Sequence, residues 1–254
     1  MEKLIGAQLY TIRDYTKDRE NLMESFKKLS EIGYTYAQAS AMDHLAPEDI
    51  KEAGEKYNIK ITGDHYSFAK MTEDPKAVAD LHKIFGCYEP GVGGLPVEAR
   101  DSKEGILDFM KKANKIADVF AAEGMMFTYH NHAFEFVKVE GKTIMDYILE
   151  NANKNFKLMV DVYWLSVAGI NPVKFLNEHK DMIGGVHYKD LKVVNNGPEI
   201  CEVGEGNLDW DLIVKTCDDI GVKHIYVEQD RNWTPDPFTS LKTSYENLKK
   251  FGYR

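Results

Sequence analysis

Two histidines and a glutamate crowd into nine residues, "TYHNHAFEF" (128–136), and acid or histidine recurs at the ends of later apolar runs. Asp161 closes "KLMVD", His187 closes "GGVH", and Glu228 follows the apolar part of "IYVEQD". Carboxylate and imidazole together suit a hard or borderline divalent cation. Asp161 and His187 are therefore expected ligands; an N-cap and a satisfied core imidazole are their competing roles. Glu228 stands where an unpaired carboxylate is expensive to bury, which makes it an expected ligand and proton carrier, with a salt bridge as the alternative. In an extended chain Thr128, His130 and His132 share one face, and Glu135 lies beyond on a loop. Either Glu135 or His130 supplies the fourth ligand, with Glu135 preferred. Mn2+ is the expected cation, with Zn2+, Co2+, Fe2+ and Mg2+ as alternatives.

Other polar residues near strand ends complete the candidate site. Gln8, Tyr10, His65, Trp164 and Lys189 are expected substrate contacts, and His130, His132, Lys189, Glu135 and Glu228 the expected catalytic set. Lys189 with Asp190 reads equally well as an internal ion pair. Trp164 and Trp233 offer faces for a sugar ring, or plain packing. His44, His82, His179 and Cys201 are given structural or surface roles.

These residues need elements to hold them. Strand-type runs fall at 4–9, 34–39, 59–65, 124–130, 156–162, 182–188 and 222–229. Helix-type stretches alternate with them. In 20–33, Leu22, Phe26 and Leu29 recur at helical spacing and Gly33 reads as a C-cap. In 102–124, Ser102 reads as an N-cap over a stripe of Ile106, Phe109, Ile116 and Phe120. The stretch 207–221 repeats the design. Strand–helix alternation implies βαβ units and a parallel sheet. With an eighth strand near 87–93, the reading is a (β/α)8 TIM barrel filling 1–254 as one domain. "CYEPGVGGLP" is its weakest strand, since proline and glycine replace β-branched residues. An open doubly wound sheet fits less well, because no GxGxxG follows the first run.

Composition excludes several partners. The 254 residues are 43 % hydrophobic with a net charge of −9, which disfavours nucleic acid. No apolar run is long enough to span a bilayer, and the start lacks a signal-peptide pattern, so a cytoplasmic protein is expected. Three scattered cysteines suggest a reducing compartment.

"YHNHAFEF", "DVYW", "HYKD", "VGEGNLDW", "VEQD" and "SYENLKKFG", in this order, resemble the xylose-isomerase-like (β/α)8 superfamily of sugar phosphate isomerases and epimerases. The resemblance runs along essentially the whole chain. It implies one divalent metal held by glutamate, aspartate, histidine and glutamate, with Asp161, His187 and Glu228 in the last three places. The usual first glutamate is missing from 128–130, which leaves Glu135 or His130. It also implies a small carbohydrate substrate, and a homo-oligomer is compatible because such barrels often pair. The loops after strands seven and eight carry Glu205, Glu228 and Asp230 against Arg231 alone, so an unphosphorylated keto-sugar, inosose or 3-keto-glycoside is expected. The implied chemistry is α-proton abstraction by Glu228 through a metal-stabilised enediolate, with Glu135 or a histidine of the HNH pair returning the proton. Loss of a β-substituent would make the same site a lyase, dehydratase or hydrolase. A repair-type phosphodiesterase and a non-catalytic sugar-binding barrel are the other classes.

Overall fold

The computed structural model describes residues 4–254. Eight parallel strands close into a barrel: β1 (Gly6–Gln8), β2 (Tyr36–Ser40), β3 (Lys60–His65), β4 (Glu89–Val92), β5 (Phe127–His130), β6 (Phe156–Asp161), β7 (Ile183–Tyr188) and β8 (His224–Val227). Each pairs with its sequence neighbours, and β8 returns to β1. The chain is therefore a (β/α)8 TIM barrel. Every expected strand is present, usually shorter by a residue or more at one or both ends.

The helices follow their sequence signals. Arg19–Ile32 buries Leu22, Phe26 and Leu29 and ends at Gly33, whose positive φ and amide bond to the Leu29 carbonyl (3.1 Å) close it. Lys103–Ala122 starts at Ser102, whose Oγ accepts from Gly105 N, and its apolar stripe is buried. Along each strand the side chains alternate. Ala7, Tyr129, Val160, Tyr188 and Val227 belong to the apolar core, while their neighbours Gln8, His130, Asp161, His187 and Glu228 face one another across the barrel.

The composition of β4 has a steric cause. Gly91 pairs with Thr128, and a Cβ on Gly91 would sit 2.1 Å from the Thr128 carbonyl oxygen. Gly94 has φ +151°, and a Cβ there would stand 3.2 Å from the His132 ring. β4 and the turn after it give up β-branched packing so that β5 and the histidine beyond its end can come close. Gly91→Ala is expected to destabilise the barrel by about 3 kcal/mol or more, because backbone rather than a side-chain end must move. Urea unfolding measures it, and a loss below about 1 kcal/mol would mean the strands separate easily.

Two antiparallel hairpins were not foreseen: Lys138–Val139 with Lys142–Thr143, and Asp190–Val194 with Gly197–Cys201. Cys201 therefore lies on a strand, not on a loop or helix. The second hairpin leaves the mouth of the barrel directly after β7. Among the described residues, no helix is long and apolar enough to cross a membrane.

Candidate active site and cation centre

Four strand ends converge at the C-terminal mouth. One ligand atom each from His130, Asp161, His187 and Glu228 lies within 4.8 Å of all the others, and all four residues are buried. Asp161 and His187 are register partners on adjacent strands. Two imidazoles and two carboxylates in this space could hold a divalent metal ion, and the mixed nitrogen–oxygen set fits Mn, Fe, Co or Zn. Asp161 also caps the helix Val162–Val167, accepting from Trp164 N at 3.0 Å through Oδ1 while Oδ2 faces the centre. The cap and any metal contact would use different oxygens, so they would not compete.

Lys189 is the charge at the heart of the site. Its buried Nζ lies 2.9 Å from Glu228 Oε2, 3.2 Å from Asp161 Oδ2 and 3.1 Å from Asp230 Oδ2. The internal ion pair therefore exists, with three carboxylates and without Asp190. Burial pulls the ammonium pKa down, but Asp161, Glu228 and Asp230 outweigh it and hold it above the ordinary lysine value. Burial likewise pushes Asp161 and Glu228 up, yet Lys189 and the neighbouring histidines hold both below the usual carboxylate range. Burial, with repulsion from Glu228, raises Asp230. His130 is lowered by burial and raised more strongly by Asp161 and Glu228, for a net rise. Burial lowers His65 and His187, and lowers His132 to about 3.

Glu135 is not the fourth member. It sits on a 3-10 turn (Phe134–Phe136), where its carboxylate accepts from Tyr129 Oη (2.7 Å) and His132 N (2.7 Å). Tyr129 points away from the barrel interior, into an aromatic layer with Phe109 and Phe156, and it holds Glu135 behind the strand. His130 takes the inward position instead. Glu135→Leu is expected to cost about 2–5 kcal/mol by stranding two buried donors, and Glu135→Gln about 1 kcal/mol. Neither should weaken cation binding more than about threefold, far short of the loss of a direct ligand. Chemical denaturation and metal titration read the two effects.

A cavity of 460 Å3 opens over the centre, lined in part by Tyr10, His65, His130, His132, Lys189 and Glu228. Hollows of 520 and 620 Å3 lie elsewhere, but neither contains the clustered ligands. Among the buried atoms near the centre that lack hydrogen-bond partners are His65 Nε2, His132 Nδ1, Trp164 Nε1, Asp230 Oδ1 and Gln38 Nε2. Trp164 lies 5.4 Å from the His132 ring, which stacks on Phe134. Gln8 differs from expectation. It is fully buried beneath the mouth, bonded to Gln38, and does not line the cavity.

The sequence reading overlooked Arg13, which lines the cavity with Arg231. Arg13 donates to the carbonyls of Tyr10 and Asp230, 217 residues apart from the latter, so only folding brings it to the rim. Its place in the 3-10 segment directly after β1 (Leu9–Tyr15) was the available signal. Glu205, counted earlier among the mouth charges, instead accepts from Asn247 Nδ2.

Solved structures share this architecture. Two sugar phosphate isomerase/epimerases from Parabacteroides distasonis superpose with TM-scores of 0.83 and 0.81, at 19 % and 24 % identity. They cover 98 % of this chain in each case, and 94 % and 98 % of their own. An L-ribulose 3-epimerase gives a TM-score of 0.73 at 14 % identity, covering 99 % of this chain and 94 % of its own. At such identities the likeness is one of fold. No curated protein matches the chain in sequence. The xylose isomerase-like TIM barrel family matches residues 26–251, and the chain belongs to that family.

Proposed function

We propose that the protein is a divalent-cation-dependent isomerase or epimerase of a small keto-sugar or cyclitol, working by proton removal next to a carbonyl. The observation that carries this is the buried His130–Asp161–His187–Glu228 centre at the floor of a polar cavity. A bound cation would act there as Lewis acid and template for a carbonyl and a neighbouring hydroxyl.

The chain's own groups supply the rest. Glu228 Oε2 is held by Lys189, while Oε1 has no hydrogen-bond partner among the described residues. Lys189 keeps this carboxylate ionised, so Oε1 is the base. His65 Nε2 and His132 Nδ1, on residues that line the cavity, are free to meet substrate oxygens, whereas Trp164, an expected contact, lies outside that lining. Glu135 is out of reach as a second proton carrier, and His132, lowered to about 3 by burial, suits hydrogen bonding rather than proton return. Removal and return by one carboxylate favours transfer between adjacent carbons over inversion at a single carbon.

The test is metal analysis of the purified protein with solvent deuterium exchange over keto-sugars, inososes and 3-keto-glycosides. Phosphorylated counterparts belong in the panel because Arg13 and Arg231 both face the cavity. Exchange at the carbon next to the carbonyl is expected with stoichiometric metal. Absence of exchange in every compound, with metal present, would sink the reading.

A further inference from the structure

Beneath the centre lies a chain of side-chain amides whose orientations follow from one another, with Gln38 Nε2 left as a buried donor without a partner. Tyr10 N–H donates to Gln8 Oε1 at 3.0 Å. A backbone amide can only donate, so the oxygen of Gln8 is fixed and its Nε2 must point the other way. That NH2 group reaches Gln38 Oε1 at 2.7 Å and His65 Nδ1 at 3.4 Å. Gln38 must present its oxygen there, since a flipped amide would set NH2 against NH2. The same oxygen lies 2.5 Å from His187 Nε2, which must then carry a hydrogen. Gln8, Gln38 and His187 are fully buried, so no solvent relaxes these choices.

We propose that Gln8 and Gln38 are positioning residues, an amide relay that fixes the tautomers of two active-site histidines from one backbone N–H. His187 is protonated at Nε2, which leaves the Nδ1 lone pair facing Glu228 Oε2 at 2.9 Å. Lone pair and carboxylate repel at that distance unless a positive charge joins them, so Nδ1 is the ligand atom. His65 accepts at Nδ1 and carries its hydrogen on Nε2, the buried atom without a partner beside the cavity. It is a neutral donor aimed at a substrate oxygen. His130 is set independently and in the opposite sense: its Nδ1 donates to the Gly93 carbonyl at 3.3 Å and Nε2 faces Asp161. Imidazole ligands fixed in this way bind metal about 10–100-fold more tightly than those lacking the outer hydrogen bond.

The cation half of this inference rests on the function proposed above, whereas the His65 half does not. Nitrogen-15 long-range correlation spectra of the full chain, with and without Zn2+, test both. His65 is expected to show its hydrogen on Nε2 in both states, and His187 on Nε2 with a Zn2+-shifted Nδ1. A His65 hydrogen on Nδ1 overturns the relay even if the protein takes up no metal. Failure of Zn2+ to bind, with the His65 pattern intact, would instead count against the proposed function. Gln38→Met should weaken Zn2+ binding about 10–100-fold, and Gln38→Glu, which keeps an acceptor for His187, should recover most of that loss. Equal affinity in Gln38→Met and wild type overturns the relay.

Discussion

Glu228→Gln is expected to slow deuterium exchange by about 10²–10⁴-fold, the range for loss of a positioned general base. Glutamine keeps the shape, and its oxygen can still accept from Lys189 at the position of Oε2. What it cannot do is take a proton at the position of Oε1. Because Glu228 is also a proposed ligand, the rate must be read at saturating Mn2+ with occupancy confirmed by metal analysis. A variant that is fully loaded yet turns over within about tenfold of wild type would remove Glu228 from the role of base. A variant that never loads would leave it as a ligand alone.

The largest stability effect is expected at Asp190, a residue outside the chemistry. Its buried carboxylate accepts from the backbone amides of Leu191 (2.7 Å), Gly204 (2.9 Å) and Gly206 (3.0 Å), and from Trp210 Nε1 (2.6 Å), with Leu208 N at 3.4 Å. One side chain thus folds the loop "VGEGNLDW" back onto the base of the second hairpin. Burial raises its pKa, while Trp210 and the backbone donors oppose that rise. Gly206 has to be glycine, since a Cβ there would lie 2.4 Å from Asp190 Oδ1. Asp190→Ala strands at least four donors at about 1–3 kcal/mol each. A net loss of about 4 kcal/mol or more is expected, a large share of the 5–15 kcal/mol typical of a folded protein. Urea unfolding measures it. A loss below about 1 kcal/mol would mean that the loop finds other acceptors or water.

Asp190 also explains a limit of reading motifs by type. "HYKD" and "VGEGNLDW" stand out in the sequence because carboxylates and glycines are rare in such patterns without a reason. The reason for Asp190 is architectural, and for His187 and Lys189, one to three residues earlier, it is the site. The spacing is the same whether a side chain points at a substrate or at four backbone amides and an indole N–H. Asp64 is similar: it ends a strand, but faces outward to His82 Nε2 at 3.0 Å.

The sequence by itself determined the barrel, through the alternation of apolar runs with amphipathic stretches, and it determined that Asp161, His187 and Glu228 end successive strands. Those are local consequences of period and position. In a parallel barrel, strand ends meet at one mouth whatever the loops do. Tertiary structure decided the remainder. It chose His130 over Glu135, because Tyr129, on the opposite face of β5, captures the glutamate. It moved Gln8 from the mouth to the layer below and brought Arg13 to the rim. It also surrounded Lys189 with Asp161, Glu228 and Asp230. Each of these depends on which partner is nearest once the barrel has closed. Tyr129 and Glu135 are only 6 residues apart. The other partners, such as Gln38 for Gln8, Gly93 for His130 and Asp230 for Arg13, lie 30, 37 and 217 residues apart and leave no trace in local periodicity.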